Sequence, residues 1–108
     1  MLLKVIDRLM ITNLLLPREA NFVEAILSRG IHGKVDFTTA DLVRYGITAE
    51  GAQIKWDPAG DEGEEIAFDT GELAFLRKQV ERLDREGKIT NQALDVCLAI
   101  KEAKEKAP

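Results

Sequence analysis

Thr70-Gly71-Glu72-Leu73-Ala74-Phe75-Leu76-Arg77-Lys78-Gln79-Val80-Glu81-Arg82-Leu83-Asp84-Arg85-Glu86-Gly87-Lys88-Ile89-Thr90 is the stretch that decides the fold. Leu73, Leu76, Val80 and Leu83 recur by threes and fours, the period of one helix face, and predict a helix with a single apolar side. Thr70 is a residue type that accepts the free amide protons at a helix start, Glu72 adds negative charge to the first turn, and Gly87 supplies the stop. Lys88-Ile89 leads to a second threonine cap at Thr90, after which Leu94, Cys97, Leu98 and Lys101 trace a final helix that frays over residues 102–108. So short a link predicts that the two helices pack antiparallel.

Upstream of this pair the period changes to two. Ala52, Ile54 and Trp56 alternate with Gln53, Lys55 and Asp57, and after Pro58-Ala59-Gly60-Asp61-Glu62-Gly63 the alternation returns at Ile66 and Phe68. The pattern predicts one β-hairpin with an apolar face and a tip near residues 57–64. Before it, Thr38 or Thr39 caps a short helix that carries Leu42, Val43 and Tyr45 and stops at Gly46. A helix from Arg18 or Glu19 to Ser28 carries Phe22, Val23, Ile26 and Leu27 along one face and ends at Gly30, with Gly30-Ile31-His32-Gly33-Lys34 as a loop. The first helix covers about residues 4–15, with Ile6, Leu9, Met10, Asn13 and Leu14 at helical spacing before Pro17. The fold class is therefore α+β and mainly helical: three N-terminal helices, one β-hairpin, then a C-terminal antiparallel helix pair. That order is also the order of a winged helix.

A chain of 108 residues with 45% hydrophobic and 31% charged residues has the size and balance of one globular domain spanning residues 1–108. The Leu-rich start is interrupted by Lys4, Asp7 and Arg8 and lacks the unbroken apolar stretch of a secretory signal, and no run approaches the roughly 20 apolar residues of a membrane span. The single cysteine, Cys97, lies in an apolar helical pattern and fits a buried thiol in a reducing compartment, so a cytoplasmic location without membrane attachment is expected.

The formal net charge of −4 is unevenly spread. Residues 1–56 and residues 70–108 are each +1, whereas residues 57–69 hold Asp57, Asp61, Glu62, Glu64, Glu65 and Asp69 with no base. The chemistry of catalysis is harder to find. One His and one Cys far apart make no metal set. An EF-hand loop opening at Asp57 fails at Ala59, Glu62 and Phe68. His32 lies between glycines with no nucleophile beside it, and neither glycine-rich segment is followed by the Lys-Ser/Thr pair of a phosphate loop. No cofactor and no enzymatic activity are expected.

Two functional readings come from different classes. In the first, Asp57, Asp61, Glu62, Glu64 and Glu65 form a contact surface for a basic protein partner, because concentrated negative charge steers association. In the second, a winged helix binds DNA through Lys34, Arg44 and Lys55, an arrangement that the acidic wing tip opposes by repelling phosphate. The segment Arg8-Leu9-Met10-Ile11-Thr12-Asn13-Leu14-Leu15-Leu16-Pro17-Arg18-Glu19-Ala20-Asn21-Phe22, with Ile54-Lys55-Trp56, Ile66 and Leu83-Asp84-Arg85-Glu86-Gly87-Lys88-Ile89-Thr90, resembles a family of small hypothetical phage and prophage proteins. Relatives in that family tend to carry glycine where this chain has Ala20. The resemblance implies a non-enzymatic accessory protein, in the host cytoplasm if phage-encoded, that acts on another protein or on a second copy of itself.

Overall fold

Two short caps and one glycine organise the C-terminal half. In the computed structural model, which describes residues 1–103, helix α4 spans Thr70–Glu86 and helix α5 spans Asn91–Glu102. The cap of α4 is Asp69 rather than Thr70: its carboxylate accepts the Glu72 amide while Glu72 accepts the Asp69 amide, so a reciprocal box closes the first turn. Gly87 ends the helix in the left-handed region at φ 65°, and the Thr90 hydroxyl caps α5 by accepting the Ala93 amide. Arg77, toward the middle of α4, donates to the carbonyls of Ile100 and Ala103 at the far end of α5, as antiparallel packing requires. Of the segment expected to fray, residues 104–108 lie outside the described residues.

Helix α4 is the centre of the molecule and packs against both α5 and helix α2, which spans Phe22–Val35. Leu73, Leu76, Val80 and Leu83 are all buried, with Phe75 beside them. From α5 the core takes Ala93, Val96, Cys97 and Ile100, while Leu94 and Leu98 face outward. The apolar stripe of α5 is thus rotated from the expected one, because Val96 and Ile100 join Cys97 on the inner side.

Helix α2 corrects the sequence reading most. It begins at Phe22 on an Asn21 cap, whose side chain accepts the Glu24 amide, and runs through Gly30 and Gly33 to Val35. The expected loop over residues 30–34 is helix, and His32 sits on it. Ile31 and Val35 enter the core with Leu27 packed beside them, whereas Phe22, Val23 and Ile26 are exposed. Leu27, Ile31 and Val35 are four apart and form one stripe, whose burial outweighs the intrinsic cost of two helical glycines.

The N-terminal segment is also reorganised. Helix α1 is only Val5–Met10, and Ile11–Leu15 continues it as a wider π-helical turn. Its buried face is Val5, Asp7, Arg8, Ile11 and Leu15, not the predicted Ile6, Leu9, Met10, Asn13 and Leu14. Helix α3, Thr39–Arg44, has the expected Thr38 cap and stops at Tyr45-Gly46, with Gly46 at φ 60°.

The hairpin is shifted toward the N-terminus from its expected place. Strand β2, Thr48–Glu50, pairs antiparallel with β3, Gln53–Lys55, aligning Thr48 with Lys55 and Glu50 with Gln53. Gly51, at φ 61°, occupies the first position of the two-residue turn, where glycine relieves the positive φ. Residues Pro58–Asp61 form a 3-10 turn instead of a hairpin tip, and β4, Glu64–Glu65, does not return to β3. It pairs with β1, Leu2–Leu3, so that Leu2 faces Glu65 and Leu3 faces Glu64. The chain start competes for this strand and wins, with the Ile66 amide donating to the Met1 carbonyl at 2.9 Å and the Met1 amino group donating to the Ile66 carbonyl at 2.8 Å.

Candidate functional site

The acidic segment is assembled by three local devices: the Pro58 turn, the β1–β4 pairing and the cap of α4. Each engages some of its carboxylates. Glu64 accepts from the Arg8 guanidinium at 3.3 Å and from the Tyr45 hydroxyl at 3.2 Å. Glu65 accepts from the Met1 amino group at 2.8 Å. Asp61 accepts from the Trp56 indole at 3.1 Å, and Asp69 is the α4 cap. Asp57 folds over Gly46 so closely that a Cβ there would lie 2.2 Å from its Oδ2. Glu62 is exposed beside the turn. Asp57, Asp61 and Glu62 therefore form the outward acidic edge, while Glu64 and Glu65, although solvent-accessible, are each paired with a cation.

The electrostatic centre is Arg8, a residue absent from every sequence-level candidate set. Only 3% exposed, it donates from Nε to the Val35 carbonyl at 2.9 Å and from Nη2 to the Asp36 carbonyl at 2.8 Å and to Asp41 Oδ2 at 3.1 Å. Its guanidinium also lies over the Phe37 ring, 4.3 Å from the centroid. Burial alone would raise the Asp41 pKa, but the Thr38 amide and Arg8 outweigh it and hold the carboxyl below its ordinary value. Tyr45 moves the other way: burial first, and then the neighbouring Glu64 charge, push its phenol up. Spacing in the sequence did carry a signal for Arg8, since Val5, Arg8, Ile11 and Leu15 follow one another at three or four residues and so share the inward face.

The DNA-contact candidates are dispersed. Lys34 lies on α2, where it pairs with the buried Glu72 and sits over the Phe68 ring at 5.9 Å. Arg44 ends α3 with its guanidinium 5.0 Å from the Tyr45 ring centroid, and Lys55 pairs with Glu50 across the hairpin at 2.9 Å. Lys34 and Lys55 are thereby partly neutralised, and α3, with six residues, presents one cation.

A further surface emerges on the first turns of α2, where Phe22, Val23 and Ile26 are 82%, 65% and 58% exposed. The sequence pattern puts these side chains on one face with Leu27, and of the four only Leu27 packs against the core. The overlooked signal is the continuation of the apolar pattern at Ile31 and Val35 beyond Gly30, which gives the helix a second stripe and leaves the first without a cover.

A concavity of about 510 Å³ opens between β4 and the facing ends of α4 and α5, lined by Met1, Phe68, Thr70, Leu73 and Ala99 among others. Its carboxylates include Glu65, held by the Met1 amino group, and Asp69, held in the α4 cap. No cluster of three or more His, Cys, Asp or Glu side chains suited to a metal ion occurs among the described residues, and no helix among them is long and apolar enough to cross a membrane. Compared with models of protein families, with curated proteins and with solved structures, the chain matches none.

Proposed function

We propose that this chain is a small non-enzymatic accessory protein, phage- or prophage-derived, that acts by binding another protein. The observation that carries the reading is the exposed Phe22, Val23 and Ile26 stripe on a well-capped helix. Scattered apolar side chains are normal on a protein surface, but three large ones within two turns form a contiguous patch whose removal from water is favourable at roughly 25 cal/mol per Å². Asn21 holds the start of the helix, so little ordering entropy opposes docking. The partner that fits presents an apolar groove and carries net positive charge, which the outward Asp57, Asp61 and Glu62 and the overall −4 charge attract.

Duplex DNA has less support as a partner. The helix, helix, helix, hairpin order of a winged helix is present, yet its short third helix offers Arg44 alone, and Thr48–Lys55 holds one acid and one base.

Phe22→Ser and Ile26→Ser tests the reading. Both side chains face solvent, so thermal stability should be unchanged while the protein retained on an immobilised column is lost. Asp61→Asn with Glu62→Gln should slow association and flatten its salt dependence. Retention of the same protein by wild type and the stripe variants refutes the reading. Sedimentation of the purified chain distinguishes a second copy: a concentration-dependent dimer lost in Phe22→Ser makes this surface a self-interface.

A further inference from the structure

Six basic side chains of this protein, Arg8, Lys34, Lys55, Lys78, Arg82 and Lys88, have a carboxylate within ion-pair distance. Arg18 and Arg29 do not. Neither has an ion pair or a hydrogen bond among the described residues, although the chain carries more acids than bases. Both line the same groove.

That groove, of about 440 Å³, lies between the π-helical turn that ends α1 and the outer face of α2. Ala25, Ser28, Arg29 and His32 are three or four residues apart and share one side of α2, while Leu16-Pro17-Arg18 closes the opposite wall. Pro17 fixes the turn that brings Arg18 there. The Thr12 hydroxyl donates back to the Arg8 carbonyl at 3.1 Å and so forms part of the floor rather than a donor to the groove. The available donors are the two guanidinium forks, the Ser28 hydroxyl and the His32 ring, and no carboxylate lines the site.

We infer that this groove binds a small organic phosphate, with Arg18 and Arg29 gripping the phosphate group and Ser28 and His32 completing its hydrogen bonds. Guanidinium donates in a planar fork that matches two phosphate oxygens, and two forks suit a dianion better than a single carboxylate. Leu16, Pro17, Ala20 and Ala25 supply an apolar wall for the rest of the molecule, and the volume lies in the range of sites for small organic ligands. A polymer fits less well, because the chain on either side carries Glu19 and Glu24, and no further lining residue is basic.

Nitrogen-15 amide spectra of the full chain, titrated with inorganic phosphate and with adenosine 5′-monophosphate, test this. The amides of Ser28, Arg29 and His32 should shift together, the monophosphate more tightly than phosphate, and Arg18→Gln or Arg29→Gln should each weaken binding about tenfold. Ser28→Ala provides a third variant that leaves charge untouched and should weaken binding less. Shifts spread evenly over all exposed cations, or equal affinity in the glutamine variants, overturn the proposal. So does a random duplex that binds through these residues with steep salt dependence and more tightly than either probe, since that assigns them to a polymer.

Discussion

Arg8 Nη2 lies 3.1 Å from Asp41 Oδ2, joining the inward face of α1 to the cap of α3 in a place where the arginine is all but sealed from water. Through the same side chain, α1 holds the C-terminal end of α2 by the Val35 and Asp36 carbonyls and touches β4 through Glu64. One cation therefore ties four elements, α1, α2, α3 and β4. The Glu64 arm contributes least, because that carboxylate is 40% exposed and screened by solvent.

Removing this side chain should be costly. Arg8→Ala leaves Asp41 without its cation and the buried Val35 and part-buried Asp36 carbonyls without this donor, a loss of about 3–5 kcal/mol. That is a large part of the 5–15 kcal/mol typical of a domain this size. Arg8→Lys keeps the charge but not the fork and should recover less than half. Urea denaturation followed by circular dichroism measures both, and a loss below about 1 kcal/mol for Arg8→Ala would contradict the role assigned to it.

Acid should act on Asp41 and Asp7 in opposite senses. Asp41 has a folded-state pKa below its ordinary 3.8, so its stabilisation is complete above that value and disappears as pH falls through the folded pKa. Asp7 is pushed up by burial against the lowering pull of the Lys4 amide, so its contribution is complete below 3.8 and is lost as pH rises through the folded pKa. Asp41→Asn should therefore be less stable than wild type at neutral pH and converge with it in strong acid. Asp7→Asn keeps an oxygen to accept the Lys4 amide, 2.9 Å away in the wild type, and should be at least as stable as wild type at neutral pH. Parallel stability profiles for the two variants would refute the assignment.

How far the fold was legible follows the same division between local and competing signals. The α4 stripe, Gly87 and Thr90 could be read because helix period, a left-handed stop and a hydroxyl cap are properties of neighbouring residues. The partner of Glu64-Glu65 could not, since Leu2-Leu3 lies some sixty residues away and nothing near either segment names the other. Asp57, Asp61 and Glu62 were recognised as an acidic edge, whereas Arg8 and the exposed Phe22 were not. Both errors arose from choosing one of two adjacent apolar stripes on a helix, a choice that only tertiary packing makes.

Gly33→Ala turns the corrected course of α2 into a measurement. Gly33 lies inside the helix, and a Cβ built there meets nothing within 4 Å. The substitution should stabilise the protein by about 0.5–1 kcal/mol through helix propensity alone. At Gly30 the added Cβ would stand 3.1 Å from Glu72 Oε2, on a carboxylate already held by Lys34 and the Asp69 amide, so Gly30→Ala should gain less. A loss of stability in Gly33→Ala would mean that α2 ends before residue 33 and that a loop follows.

Cys97 offers a reading of global opening without any mutation. Its thiol is buried in the core beside Val96 and Ile100, and that burial pushes its pKa up, so the native state presents neither access nor thiolate to an alkylating or disulfide reagent. Labelling then proceeds through opened molecules, at a rate set by their population. In native buffer, Ellman's reagent should react at least about a thousandfold more slowly than with the urea-unfolded chain, the ratio expected for a few kcal/mol of opening free energy. Arg8→Ala should accelerate it in proportion to its stability loss, because the core that covers Cys97 and the network around Arg8 unfold as one unit. Fast labelling of the native wild type, or a rate indifferent to Arg8→Ala, would show that α5 detaches on its own.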